Sequence, residues 1–128
     1  MTYYFSKTRE PGFDEAVRRT VDALKQEGFG VLTDIDVKET LKNKIGAEFR
    51  KYRILGACNP KLAHEALQLE DKIGTMLPCN VVVQETPDGK VEVAAIDPVA
   101  SMMAIENPRF GETARLVREK MQRVVARL

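Results

Sequence analysis

The sequence has no surplus of charge, no long apolar run and few of the side chains on which common catalytic mechanisms rest. Lysine and arginine number 20 against 19 aspartates and glutamates, a net charge of +1, so no global field draws in nucleic acid or an anionic membrane. No window reaches the roughly 18 apolar residues of a membrane span. The first residues, Met1 to Lys7, show neither a basic start followed by an apolar stretch nor another recognisable address, which makes the cytoplasm the expected location. Repeats, low-complexity tracts and long linkers are missing too. The 128 residues are therefore expected to form a single domain, 1–128, large enough to bury a core without staples.

His64 is the only histidine, and the chain carries no nucleophile elbow and no glycine-rich phosphate loop. Common hydrolase mechanisms are left without players. The residues name no catalytic group and no cofactor. What remains is an ordinary soluble composition, 44% hydrophobic and 30% charged, and two cysteines, which in a reducing compartment are expected to be free thiols unless they serve redox chemistry.

Those cysteines sit in the most informative wording of the chain. Tyr52-Arg-Ile-Leu-Gly-Ala-Cys-Asn-Pro60 joins an apolar run to a Cys-Asn pair and a proline, and Leu77-Pro-Cys-Asn-Val-Val-Val83 echoes it in reverse order. Ile54 and Leu55 read as the end of a buried strand, Gly56 permits close backbone approach, and Asn59-Pro60 opens a helix. Asparagine is a strong N-cap, and proline suits the first helical position because its missing N–H has no partner there. Pro78 ends an irregular segment, and Cys79-Asn80 leads into the strand Val81–Val83. If the two strands pair, Cys58 and Cys79 share one end of the sheet.

Along the chain, residues 2–7 suit a strand, with Tyr3 and Phe5 on one face and Tyr4 on the other, and Pro11-Gly12 breaks the run. Phe13, Val17, Val21 and Leu24 recur at helical spacing up to Gly28, with Asp14 and Glu15 favourable in the first turn. Phe29 to Ile35 is a second strand. Asp36 and Glu39 resemble a capping box, before a short peripheral helix with Val37, Leu41 and Ile45 on one stripe, closed by Gly46. Glu48 to Leu55 forms the central strand, Asn59 to about Leu69 a helix, and Lys72 to Pro78 a loop. Val81–Glu85 and Val91–Ile96 flank Thr86-Pro-Asp-Gly89, a hairpin signal because proline presets one turn dihedral and glycine supplies positive φ. Asp97-Pro98 opens a short helix through Met102 and Met103. Asn107-Pro108 opens the last helix, whose apolar positions are Phe110, Ala114, Val117, Met121, Val124 and Leu128.

This order predicts an α+β fold: a mainly antiparallel sheet of about five strands, with the two long amphipathic helices on one face, plus short helices. The other face is open. The valine-rich hairpin shows little polar alternation, so a partner subunit or a ligand is expected to cover it.

The succession Tyr52 to Pro60, Leu62-Ala63, Ile73-Gly74, Leu77 to Val83 and Asp97-Pro98 resembles the bacterial and archaeal domain-of-unknown-function family numbered 302, over nearly the whole chain. The resemblance implies a compact α+β fold, an antiparallel sheet backed by helices, and a homodimer. It implies no activity.

Cys58 precedes a helix N-terminus, where backbone N–H groups and the dipole favour thiolate; the alternative is a small buried residue tucked behind the cap. Cys58, Cys79 and His64 together would offer zinc three ligands. Their spacing is neither a CxxC knuckle nor a histidine pair, and His64 shares the helix phase of Lys61 and Gln68 rather than that of Leu62, Ala66 and Leu69, which favours a solvated ring. A reversible Cys58–Cys79 disulfide requires Cα atoms within about 7 Å. Asn59 and Asn80 read first as caps or turn residues, and second as polar groups lining a pocket beside the thiols. Asp97 reads as an N-cap. Lys120, Arg123 and Arg127 form a basic strip, diluted by Glu112 and Glu119 and lacking base-stacking aromatics, so a solvated face is favoured over nucleic-acid binding. Three functions follow: a homodimeric binding domain taking a small ligand or soft metal ion near Cys58 and Cys79, a thiol redox protein using the same pair, and a structural module with both cysteines in its core.

Overall fold

The computed structural model describes residues 2–10 and 12–128. Pro11, read above as breaking the first strand, lies outside the described residues. In chain order the elements are β1 (Tyr4–Arg9), α1 (Phe13–Gln26), β2 (Gly30–Asp36), α2 (Val37–Ile45), β3 (Tyr52–Cys58), α3 (Pro60–Leu69), β4 (Cys79–Glu85), β5 (Val91–Ile96), α4 (Pro98–Ser101) and α5 (Pro108–Ala126). The strands form one antiparallel sheet in the order β1-β5-β4-β3-β2. The expected α+β architecture is what the chain adopts, with α1 and α5 together on one face.

The hairpin supplies the centre of the core. Its turn closes through Gly89 N–H to Thr86 O at 3.0 Å, with Gly89 at φ 82°, a left-handed value that glycine takes without strain. This register sets Val83 opposite Val93 and Val81 opposite Ala95, all facing the helices and fully buried. Burial of each valine stabilises the fold by roughly 1.5–3 kcal/mol. The hairpin alternates in burial even though, as read, its sequence shows little polar alternation. Val82, Ala94 and Ile96 point to the opposite face and are half-buried there. The far face mixes these apolar residues with Asn80, Gln84 and Glu92, which blurs the alternation in a simple polar–apolar pattern.

The helix stripes differ slightly from those predicted. In α1 the buried positions are Phe13, Ala16, Thr20, Ala23 and Leu24, while Val17 and Val21 flank the contact. Small residues occupy the tightest line because α1 lies close over β4 and β5, and the Thr20 hydroxyl donates to Ala16 O at 2.7 Å rather than meeting the core unpaired. A Schellman motif ends α1, with Gly28 N–H donating to Lys25 O and Phe29 N–H to Leu24 O. Phe29 is thereby turned into the core. Helix α5 buries Phe110, Thr113, Ala114, Met121, Val124 and Val125; its second half packs with α1 and its first half with α3. Every residue of α2 keeps some exposure, and that helix is peripheral as expected.

Four local readings change. Tyr3 precedes β1 and stacks edge-on against Tyr4, so it does not share a strand face with Phe5. β2 carries a bulge between Val31 and Thr33, which leaves Leu32 67% exposed. β3 does not end at Leu55 but runs through Gly56 to Cys58, and Asn59 caps α3 directly. Most of Lys72–Pro78, read as loop, belongs to a 3-10 turn, Asp71–Met76, that buries Ile73 against Ala66 and Phe110. A cis Leu77–Pro78 bond follows it.

Candidate functional site

All three Asx-Pro pairs are caps. Asn59 Oδ1 accepts from Leu62 N–H at 3.2 Å, Asp97 Oδ1 from Val99 N–H at 3.0 Å and Asn107 Oδ1 from Arg109 N–H at 3.1 Å. Two of them also tie elements together. Asn107 Nδ2 donates to Leu69 O at the end of α3, and Asp97 accepts from Arg118 of α5 at 3.2 Å. These links fasten α3, α4 and α5 around one end of the sheet.

At that end β3 and β4 pair, with Ala57 opposite Cys79 and Gly56 opposite Asn80. Gly56 is required for this junction: a Cβ there would stand 2.7 Å from Pro78 Cγ and would also collide with the Thr33 hydroxyl. Pro78 therefore lies against the β3 backbone and delivers Cys79 into β4.

Between this sheet end and the helices lies a cavity of about 40 Å³. Ala57, Cys58 and Cys79 form its floor, Leu62 and Ala66 of α3 one wall, and Met102 and Phe110 another. The surface is almost wholly apolar. Cys79 is 7% exposed and Cys58 half-buried, and both are free thiols. Burial, reinforced by the neighbouring Cys58, pushes the Cys79 thiol up to about 11.

The predicted site residues separate into three groups. Cys58, Asn59 and Cys79 line the cavity together. The Asn59 oxygen is committed to capping, and its amide nitrogen lies against Gly28. Asn80 is turned to the opposite sheet face and does not line this cavity; side chains alternate along β4, so Cys79 and Asn80 cannot share a face. His64 is exposed on α3. Among the described residues no three His, Cys, Asp or Glu side chains cluster for a metal, so the Cys58, Cys79, His64 set is not assembled. Sequence reasoning missed Ile73, Phe110 and Pro78 as parts of the site. The four-residue spacing of Leu69, Ile73 and Leu77 was the available signal for the first.

The basic strip on α5 has its own use. Arg123 and Arg127 both bind Glu27, at 2.8 and 2.9 Å, closing the end of α1 onto α5. On the far side of the sheet, Tyr4, Tyr52, Val82, Ala94 and Ile96 border a broad open groove of about 340 Å³. Along its edge runs a chain from Arg50 Nε to Gln84 at 2.9 Å and from Gln84 to Glu92 at 3.0 Å.

An antiparallel sheet backed by helices, with paired strand ends carrying thiols into an apolar cavity, defines a compact α+β class of protein. The chain belongs to the family described as domain of unknown function DUF302, whose model matches residues 5–128. It is similar to the crystal structure of an uncharacterized conserved protein DUF302 from Bacillus stearothermophilus, with 29% identity, 99% of this chain and 98% of that one covered, and a TM-score of 0.91. No curated protein matches the chain. Among the described residues no helix is long and apolar enough to cross a membrane.

Proposed function

We propose that the protein is a binding domain, working as a homodimer in a reducing compartment such as the cytoplasm, and that its site is the cavity at Cys58 and Cys79. The observation that carries this reading is the convergence of both cysteine-bearing strand ends on one small apolar cavity. Size limits what it takes. An engineered cavity of roughly 150 Å³ admits benzene or xenon, so a space of about 40 Å³ suits a ligand of a few heavy atoms or a single soft ion. Burial of Cys79, which keeps its thiol protonated at neutral pH, slows the resolving step that the redox alternative, with Cys58 as nucleophile, asks of it.

Xenon-pressurised NMR tests the cavity. Methyl resonances of Leu62 and Met102 are expected to shift with xenon pressure in the wild type and to stop responding in Ala63→Leu, which fills the space from a half-buried position on α3. No response in the wild type overturns the reading and leaves a structural module.

The open sheet face supports the homodimer. Its half-buried apolar centre is bordered by both Arg50 and Glu92, so a second copy related by a two-fold axis finds apolar against apolar and opposite charges across the rim. Sedimentation is expected to show a dimer for the wild type and a monomer for Val82→Glu. A wild type that stays monomeric at high micromolar concentration overturns this part.

A further inference from the structure

More sulfur borders the cavity than its two thiols. Met102, 8% exposed, closes it beside Cys58 and Cys79. Met76 then joins Cys79 and Met102 around an adjoining groove that Pro78 also borders. Cys58 of β3, Cys79 of β4 and Met102, the residue after α4, thus border one cavity, and Met76 of the 3-10 turn borders the next. Met76 is 39% exposed, so it is not needed to fill the core.

We propose that this sulfur cluster is a site for monovalent copper, held by Cys58 and Cys79 as thiolates and by the Met102 thioether, with Met76 at the point of entry. The assignment rests on the cavity reading above for its location and adds the ion. Thiolate and thioether are soft ligands that select Cu(I), which is satisfied by two or three of them. Zinc in structural sites takes four nitrogen, sulfur or oxygen ligands, and such a set does not cluster among the described residues. The apolar walls also disfavour a divalent ion that keeps its water. On loading, each thiol exchanges its S–H bond for a Cu–S bond and releases a proton to solvent; copper stays monovalent throughout. The two thiolates and one Cu(I) leave a net charge of −1, and Cys58 lies where the positive end of the α3 dipole stabilises it.

The test is anaerobic titration of the full chain with Cu(I), kept reduced by ascorbate and competed against a chromogenic Cu(I) chelator. One copper per chain is expected, with X-ray absorption showing sulfur scatterers only. Cys58→Ser, at a half-buried position where folding is not at risk, is expected to abolish chelator-resistant binding. Met102→Leu, which conserves volume, should weaken it by roughly tenfold. Zinc(II) in equal amount should not displace the copper. Copper bound equally well by Cys58→Ser, or nitrogen and oxygen scatterers in place of sulfur, overturns the proposal. If Cu(I) fails to bind while xenon still enters, the copper assignment falls and the cavity reading stands; if xenon is excluded as well, both fall.

Discussion

Gly28 at the end of α1 and Asn59 at the start of α3 lie in contact: the Cβ that Gly28 lacks would stand 3.0 Å from the Asn59 amide nitrogen. Gly28 holds φ 84°, and Asn59 caps Leu62, so one point joins two helix ends beside the cavity. Asn59→Ala is expected to cost about 1 kcal/mol through the lost cap, and Gly28→Ala about 1–2 kcal/mol through its left-handed backbone, plus the collision. Because that collision is with the Asn59 side chain, the double variant should cost less than the sum. Urea denaturation of the four chains measures it. Strict additivity would show that the two side chains do not interact.

Gly56 and Gly111 make a contrasting pair. The first has no room for a methyl group, between Thr33 and Pro78, whereas the second lies in α5 with nothing within 4 Å of its missing Cβ. Gly56→Ala is therefore expected to destabilise by about 2–3 kcal/mol, as overpacking does. Gly111→Ala should stabilise by about 0.5–1 kcal/mol, since alanine loses less backbone entropy in a helix. Thermal melts of both variants decide, and a neutral Gly56→Ala would mean that Pro78 moves freely off β3.

Glu27 is almost fully buried beneath Arg123 and Arg127. The Arg123 hydrogen bond holds its carboxyl below the ordinary value of 4.5, against the opposing effect of burial. A carboxylate whose folded pKa is depressed stabilises the fold above its unfolded pKa, and that contribution is lost as pH falls through the folded value. Stability should thus drop below about pH 4.5 more steeply in wild type than in Glu27→Gln. At neutral pH the same substitution should cost about 2 kcal/mol, less than a fully buried pair because both arginines are half exposed. Denaturation midpoints from pH 3 to 7 test the slope, and parallel curves would contradict it.

What the chain shows on inspection is what neighbouring residues decide among themselves. Asn59-Pro60, Asp97-Pro98, Asn107-Pro108 and Thr86-Pro-Asp-Gly89 each place a side chain or a dihedral within a few positions of the backbone it serves, and each acts in the fold as read. Gly56 is legible as a close approach, but what approaches it, Thr33 of β2 and Pro78 just before β4, comes from distant parts of the chain. The bulge at Leu32, the inward turn of Ile73 and the Glu27–Arg123 pair, whose members are 96 positions apart, arise only once distant elements pack. The candidate site divides the same way. Strand pairing brings Cys58 and Cys79 to one cavity, whereas Asn80, next to Cys79 in sequence, points to the opposite face.

The two thiols are expected to differ sharply in behaviour. Cys79 is buried among apolar side chains and its pKa is raised from 9.0 to about 11, which leaves roughly one chain in a thousand as thiolate at pH 8. Cys58 is half-buried at the strand end. Labelling with a thiol reagent at pH 8 should modify Cys58 in the native chain and Cys79 only after unfolding; equal native rates would refute the burial argument. The same shift has a consequence for stability. A group whose folded pKa is raised contributes fully below its unfolded value, and its contribution disappears as pH climbs through the folded one, so stability should fall between about pH 9 and pH 11. A two-unit shift corresponds to about 3 kcal/mol, and in Cys79→Ala this part of the decline should be absent. Cys79→Ser should lose about 1–3 kcal/mol at neutral pH, because it sets a hydroxyl in an apolar floor, while Cys58→Ser should change stability little.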